Sequence, residues 1–324
     1  MTNTHKDALF VLIESLSKSE KRQFKLYVGR LGVNTDAKFL ALFNLLDKMK
    51  SYDEKQILDS GIVKKAQLSN LKAHLYKQIL VSLRLNPVNQ NIRVQIREQL
   101  DFATILYQKG LYKQSLKILD KAKTLAMEHE EKNVAYEIVE LEKIIETQYI
   151  TRSIPDRANE LAKQAKELSE HNVMTSKLSN LSLQLYGMML KVGYVRNDED
   201  LQKVRSYFEA QLPPYDMDQL GFREKLWLYK AHLWYSLLTQ DFLSSYKYAS
   251  KWVDLFYENK EMIVLNPVFF LKGNHYLLES LFFVKYASQF RGTLEKLEAQ
   301  VTIQDFRAMI ILLPLPFYIL TPTN

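Results

Sequence analysis

LYQKGLYKQSLKILDKAKTLA, residues 106–126, decides the fold. Gly110 reaches positive φ without a Cβ penalty, so it permits a tight turn between two helical segments. Tyr112 is placed to pack beneath that turn, and Leu119 supplies a large apolar group. The small residues Ser115 and Ala122 let the second helix approach a neighbour closely. A helical hairpin of this kind buries its apolar face only by stacking on another hairpin. The chain supplies the partners at a regular distance. Second helices begin at Ser115, Ala158, Leu201, Ser245 and Gln289, in steps of 43, 43, 44 and 44 residues. A fixed period of that size marks an α-solenoid and predicts an all-α fold of about five hairpins.

The other repeats follow with changing turn chemistry. Val134, Ile138, Leu141, Ile145 and Tyr149 make one stripe, answered by Ala158, Leu161, Ala162, Ala165 and Leu168, with Ser153 and Pro155 in the turn. Residues 178–194 (LSNLSLQLYGMMLKVGY) form the third first-helix, and Asn197 to Asp200 lead into Leu201, Val204 and Phe208. That acidic run lacks the glycine and distal glutamate of a calcium loop and predicts a helix N-cap. The fourth hairpin runs from Phe222 to Leu238, turns at Gln240-Asp241, and returns through Ser245, Ala249 and Trp252. In the fifth, Gly292 and Thr293 replace the expected Ala or Leu. A sixth begins near Ile303 and is broken by Pro314 and Pro316, which leaves an incomplete repeat or apolar tail over residues 303–324.

Before the repeats, residues 1–90 predict a separate basic helical module. Its stripes are Leu9, Leu12, Ile13 and Leu16; then Phe39, Leu42, Phe43, Leu46 and Met49; then Leu68, Leu71, Leu75, Ile79 and Leu83. Ser17 or Ser19 caps the second helix, Gly32 is placed to stop it, and Asn86-Pro87 ends the last. Residues 1–97 hold 17 Lys/Arg against 8 Asp/Glu, a net of +9 in a chain whose total is +7. Two readings stay open: a bundle that caps the first hairpin, or a helix-turn-helix DNA reader. The second makes Lys21, Arg22, Lys25, Lys72, Lys77 and Arg84 phosphate contacts. The wide regular stripe of the last helix favours the cap.

The run around Gly110 resembles the tetratricopeptide repeat, whose consensus has a glycine, an aromatic two residues later, and small residues beyond. Gly110, Tyr112, Ser115 and Ala122 match, with Leu119 at the large apolar position. Gln99 stands where the family often has tryptophan, no proline ends the second helix, and the period exceeds the family's about 34 residues. The resemblance implies a TPR-like solenoid spanning residues 91–302, right-handed, with a concave groove lined by first helices. Carried over residue by residue, the groove register falls on Arg97, Thr104 and Tyr107, and on Trp227, Lys230 and Trp234. Most of residues 5–130 also resembles an uncharacterised group of longer bacterial helical-repeat proteins. That likeness implies a cytoplasmic protein whose C-terminus is incomplete.

Cysteine is absent, which removes disulfides, thiolate catalysis and Cys-ligated zinc. His5, His74, His129, His171, His232 and His275 form no HxxxH or HExxH pair, and no glycine-rich phosphate loop occurs. Catalytic, cofactor and metal sites are therefore not expected. Ala8–Ile13 is too short for a signal-peptide core, and the tail Ala308–Leu320 is shorter than a span of about 20 residues. The sequence thus predicts a cytoplasmic, non-enzymatic scaffold that binds a protein or peptide. The alternative is a nucleic-acid-associated regulator, and self-association through the apolar C-terminal end is a third possibility.

Overall fold

The computed structural model describes residues 7–30, 36–86, 91–148 and 156–298. The expectations on Gly32, Pro87, Ser153, Pro155 and the tail 303–324 lie outside these residues. Among them the chain is all-helical, with 15 helices and no strand. None of these helices is long and apolar enough to cross a membrane. The helices gather into two compact units, Met1–Gln95 and Ile96–Asn324.

The first unit contains α1 (Ala8–Ser15), α2 (Lys18–Gly29), α3 (Asp36–Lys48), α4 (Glu54–Asp59) and α5 (Lys65–Leu85). Asp7 caps α1 and Asp53 caps α4 through their carboxylates. Ser17, not Ser19, starts α2. Its hydroxyl accepts from Glu20 N–H at 3.2 Å while the Glu20 carboxylate accepts from Ser17 N–H at 2.8 Å, a reciprocal capping box. The apolar stripes meet on the long helix α5, where Leu68, Leu75 and Ile79 are buried against Ile13, Phe24, Phe39, Phe43 and Ile57. Leu12, Leu71, Leu83 and Met49 close the edge of this core as partly buried residues.

The second unit takes most of α6 (Ile92–Gln108) and continues with α7 (Tyr112–Glu128), α8 (Lys132–Gln148), α9 (Arg157–Val192) and α10 (Asp198–Gln211). After these come α11 (Phe222–Leu238), α12 (Phe242–Glu258), the short α13 (Glu261–Leu265), α14 (Pro267–Phe283) and α15 (Ala287–Glu298). Neighbours in sequence are mostly neighbours in space: α7 packs on α8, α8 on α9, α11 on α12, α12 on α14 and α14 on α15. Helix α9 also packs along α11, while α10 touches both only lightly.

One expected break is missing. The second hairpin's return helix and the third hairpin's first helix are a single 36-residue helix, about 54 Å long at 1.5 Å per residue. The junction SEHNVMTSK, residues 169–177, has no glycine or proline to stop it. Leu161, Ala165 and Leu168 are buried at one end of α9, and Leu178, Leu181 and Leu185 at the other. The middle lacks a buried apolar residue, so one rod serves two packing partners.

Four interhelical turns share one geometry. Residues at positive φ stand at Gly110, Glu130, Gln240 and Lys285, with φ of 75°, 57°, 58° and 59°. After each, an N–H reaches back to close the last turn: Leu111 to Leu106 O, Glu131 to Ala126 O, Asp241 to Ser236 O and Tyr286 to Leu281 O, at 2.8–3.1 Å. This is the Schellman motif, which satisfies carbonyls left over at a helix end. Glycine marks only the first of the four. At the first turn Ser115 Oγ also donates to Ala103 O at 2.7 Å, which explains the small residue there.

Candidate functional site

Helices α9, α11 and α14 bring their side chains together in an aromatic row. Tyr186 of α9 meets Trp234 of α11 with ring centroids 4.8 Å apart, and Trp234 meets Tyr276 of α14 at 5.3 Å. Two turns earlier on α11, Trp227 meets Phe269 edge-on at 5.8 Å. The geometry rests on a correspondence in sequence: Trp227, Lys230, Ala231 and Trp234 recur 42 residues later as Phe269, Lys272, Gly273 and Tyr276. Gly273 is required for the fit, since a Cβ there would lie 2.9 Å from the Trp252 indole nitrogen of α12.

Lys230 sits inside this row. Its Nζ is 4.0 Å from the Trp227 ring centroid, 4.9 Å from that of Phe269 and 5.5 Å from that of Trp252. No carboxylate among the described residues pairs with it, unlike Lys72, Lys123 and Lys132, which each hold one. Loss of water pushes its pKa down to about 7, and the neighbouring Lys272 adds to the shift. On the same row, burial raises the carboxyl of Glu279 and the phenol of Tyr276 above their usual ranges. Along α9, Leu183 and Leu190 are 66% and 67% exposed and share the stripe of Tyr186 at helical spacing.

A second cluster is ionic and buried. Glu224, fully enclosed in the first turn of α11, places Oε1 2.7 Å from His171 Nδ1 of α9 and 3.5 Å from Lys132 Nζ of α8. Lys132 also lies 3.4 Å from Glu130, and Arg223 donates to Glu130 O and to the Glu131 carboxylate at 2.8 and 2.6 Å. Beside it Lys123 donates to Glu142 at 2.6 Å, with Arg157 on the other carboxylate oxygen. Burial raises the Glu142 carboxyl despite both cations. A cavity of about 430 Å³ lies over these groups, lined by Lys123, Met127, Lys132, Gln164, Leu168 and His171.

The residues expected to line a groove fall in different settings. Trp227 and Lys230 belong to the aromatic row. Trp234 is 8% exposed and works as its buried centre, so its ring faces Tyr186 and Tyr276 instead of open solvent. Arg97 is exposed and stands 3.8 Å from Glu137, a pair that contributes little. Thr104 donates to Leu100 O at 2.8 Å within its own helix. Tyr107 packs against Tyr112 with centroids 5.8 Å apart, bracing the first turn.

The basic residues divide as well. Lys18, Lys21, Arg22 and Lys25 share a concavity of about 410 Å³ on α2, where Lys21 pairs with Asp47 at 2.7 Å. Lys72 of α5 instead bonds Asp7 and donates to the Tyr52 hydroxyl. Lys77 and Arg84 are exposed on α5.

His232 stacks on Tyr248 with centroids 4.2 Å apart and meets Phe208 edge-on, and burial lowers its pKa to about 4. It is a neutral packing residue at ordinary pH. No group of three His, Asp or Glu placed to hold a metal occurs among the described residues. Comparison of the chain with protein-family models, curated proteins and solved structures finds no match.

Proposed function

We propose that the chain is a protein-interaction scaffold without catalysis of its own, in which TPR-like hairpins stack as a solenoid in the cytoplasm. Its partner, a peptide or helix, lies along the face built by α9, α11 and α14. The observation that carries this reading is the row of half-buried rings beside Leu183 and Leu190, two leucines left two-thirds exposed. Exposed apolar groups next to rigid aromatics are the composition of a binding surface. The test is affinity capture from lysate with wild type and with Leu183→Glu/Leu190→Glu, whose exposed sites leave the core intact. Proteins recovered by the wild type and lost with the variant support the reading. An unchanged set, or none, overturns it.

A second reading has its own observation. Lys18, Lys21, Arg22 and Lys25 fall at i, i+3, i+4 and i+7 on one face of α2, with Asp47 the carboxylate among the residues lining it. This stripe suits a phosphate backbone and supports a nucleic-acid-associated regulator. Binding of double-stranded DNA that falls steeply with salt, and that is lost in Arg22→Glu/Lys25→Glu, is the expected result. No binding at low salt removes it.

A further inference from the structure

We propose, resting on the reading that α2 meets phosphate, that its concavity takes an oligophosphate and not a duplex backbone. Such a ligand is a short run of phosphates joined through shared oxygens, as in inorganic tripolyphosphate or the tail of a nucleoside triphosphate. Lys18, Lys21, Arg22 and Lys25 line about 410 Å³ of concave space together with Leu26 and Asp47. The acids that could cancel these cations are engaged elsewhere. Asp47 pairs with Lys21 at 2.7 Å, and the Glu20 carboxylate accepts from Ser17 N–H inside the capping box. Lys18, Arg22 and Lys25 hold no carboxylate among the described residues, and Lys25 Nζ is steadied 5.7 Å from the Phe43 ring centroid. A cleft lined by one sign of charge focuses the field and concentrates ions of the other sign.

The reach of the stripe sets the length of the ligand. Lys18 to Lys25 is seven residues along α2, about 10.5 Å at 1.5 Å per residue. Lys72, Lys77 and Arg84 of α5 do not line the concavity, and Lys72 is tied to Asp7 and Tyr52. The contacts therefore end within one helix face, short of the about six to ten phosphates from which duplex-binding proteins gather their affinity. Linked phosphates pack their charge into that length. The guanidinium of Arg22 offers a fork to two oxygens of one phosphate, with the ammoniums of Lys18 and Lys25 one helical turn away on either side. Leu26, 55% exposed, lines the same concavity and gives an apolar contact to any group the phosphates carry.

The experiment titrates the full chain by calorimetry at about 0.15 M salt, without divalent cations, against tripolyphosphate, ATP, orthophosphate and a short DNA duplex. Tripolyphosphate should bind about tenfold tighter than orthophosphate or better, since one further hydrogen bond to a charged group is worth about that factor. Arg22→Glu/Lys25→Glu should weaken tripolyphosphate by about tenfold or more. Lys55→Glu/Lys65→Glu makes the same change of charge at exposed positions outside the concavity. Screening should hold its effect below about threefold. Tighter binding of ATP than of tripolyphosphate assigns the nucleotide as the source, and equal or weaker binding assigns the inorganic chain. Tripolyphosphate no tighter than orthophosphate, or equal losses in the two double variants, overturns the proposal. If the duplex binds in that case, the nucleic-acid reading stands and the oligophosphate site alone is gone; if nothing binds, both fall.

Discussion

His171 Nδ1 lies 2.7 Å from Glu224 Oε1, a contact that pins the middle of α9 to the first turn of α11. The middle of α9 buries no apolar residue completely, so this hydrogen bond adds a fastening where packing is thin. Glu224 draws Lys132 in as well, and the three helices α8, α9 and α11 meet at one carboxylate.

A buried pair costs most when half of it is removed, because the remaining charge keeps its desolvation penalty. Glu224→Leu should therefore destabilise the second unit by about 3 kcal/mol in urea unfolding. Adding Lys132→Met should recover at least half of that loss, since both charges are then gone. Additive losses in the double variant would show that Lys132 and Glu224 act independently.

Lys230 makes stability depend on pH in a definite direction. In the unfolded chain its ammonium keeps the proton up to about pH 10.5, and in the fold it gives it up near 7. Between those values the unfolded state binds the extra proton, so stability rises with pH across the window. The cost of the charged amine is greatest below pH 7. Lys230→Met should raise the melting temperature most near pH 6, with the gain shrinking steadily toward pH 10. A gain that does not vary with pH would mean that shape, not charge, sets the effect.

Two helical glycines should respond oppositely to alanine. At Gly273 the new methyl meets the rigid indole of Trp252, which is fully buried and cannot swing aside. Gly273→Ala should cost about 1–3 kcal/mol, the usual range for overpacking. Gly187, in the C-terminal part of α9, has open space where a methyl group would stand, with nothing within 4 Å. Gly187→Ala should gain about 0.5–1 kcal/mol from helix propensity alone. Thermal unfolding of the pair checks both signs at once, and equal signs would refute the packing argument.

The helices are legible in the sequence because their signals are local. Stripes such as Phe39, Leu42, Phe43 and Leu46 repeat every three or four residues, and all four are at most 1% exposed. Ser17 with Glu20 and Asn197 with Asp200 announce their caps within one turn. The continuous α9 departs from the expected spacing: a regular period calls for a turn there, while the residues at the junction supply no breaker. The Glu224 cluster has no local signal, since His171 and Lys132 stand 53 and 92 residues away. Half of the aromatic row is legible. The register expected for a groove names Trp227, Lys230 and Trp234 of this row, but it does not extend to Phe269, Lys272 and Tyr276, whose signal is the 42-residue correspondence with α11.

The four Schellman turns allow a graded prediction. A residue other than glycine held at positive φ costs about 1 kcal/mol, so glycine should relieve strain at Glu130, Gln240 and Lys285. The side chains then decide how much of the gain survives. Lys285 is exposed and forms no ion pair or hydrogen bond through its side chain among the described residues, so Lys285→Gly should keep most of it. Gln240 Nε2 donates to Val195 O at 2.8 Å, and Gln240→Gly loses that bond. Glu130 stands 3.4 Å from Lys132, so Glu130→Gly also disturbs the buried cluster and should gain least or fall below wild type. Melting temperatures in the order Lys285→Gly, Gln240→Gly, Glu130→Gly would confirm that strain and side-chain contacts add separately. Gly110→Ala should lie below wild type by a similar amount, because it introduces at the first turn the strain that the other three already carry.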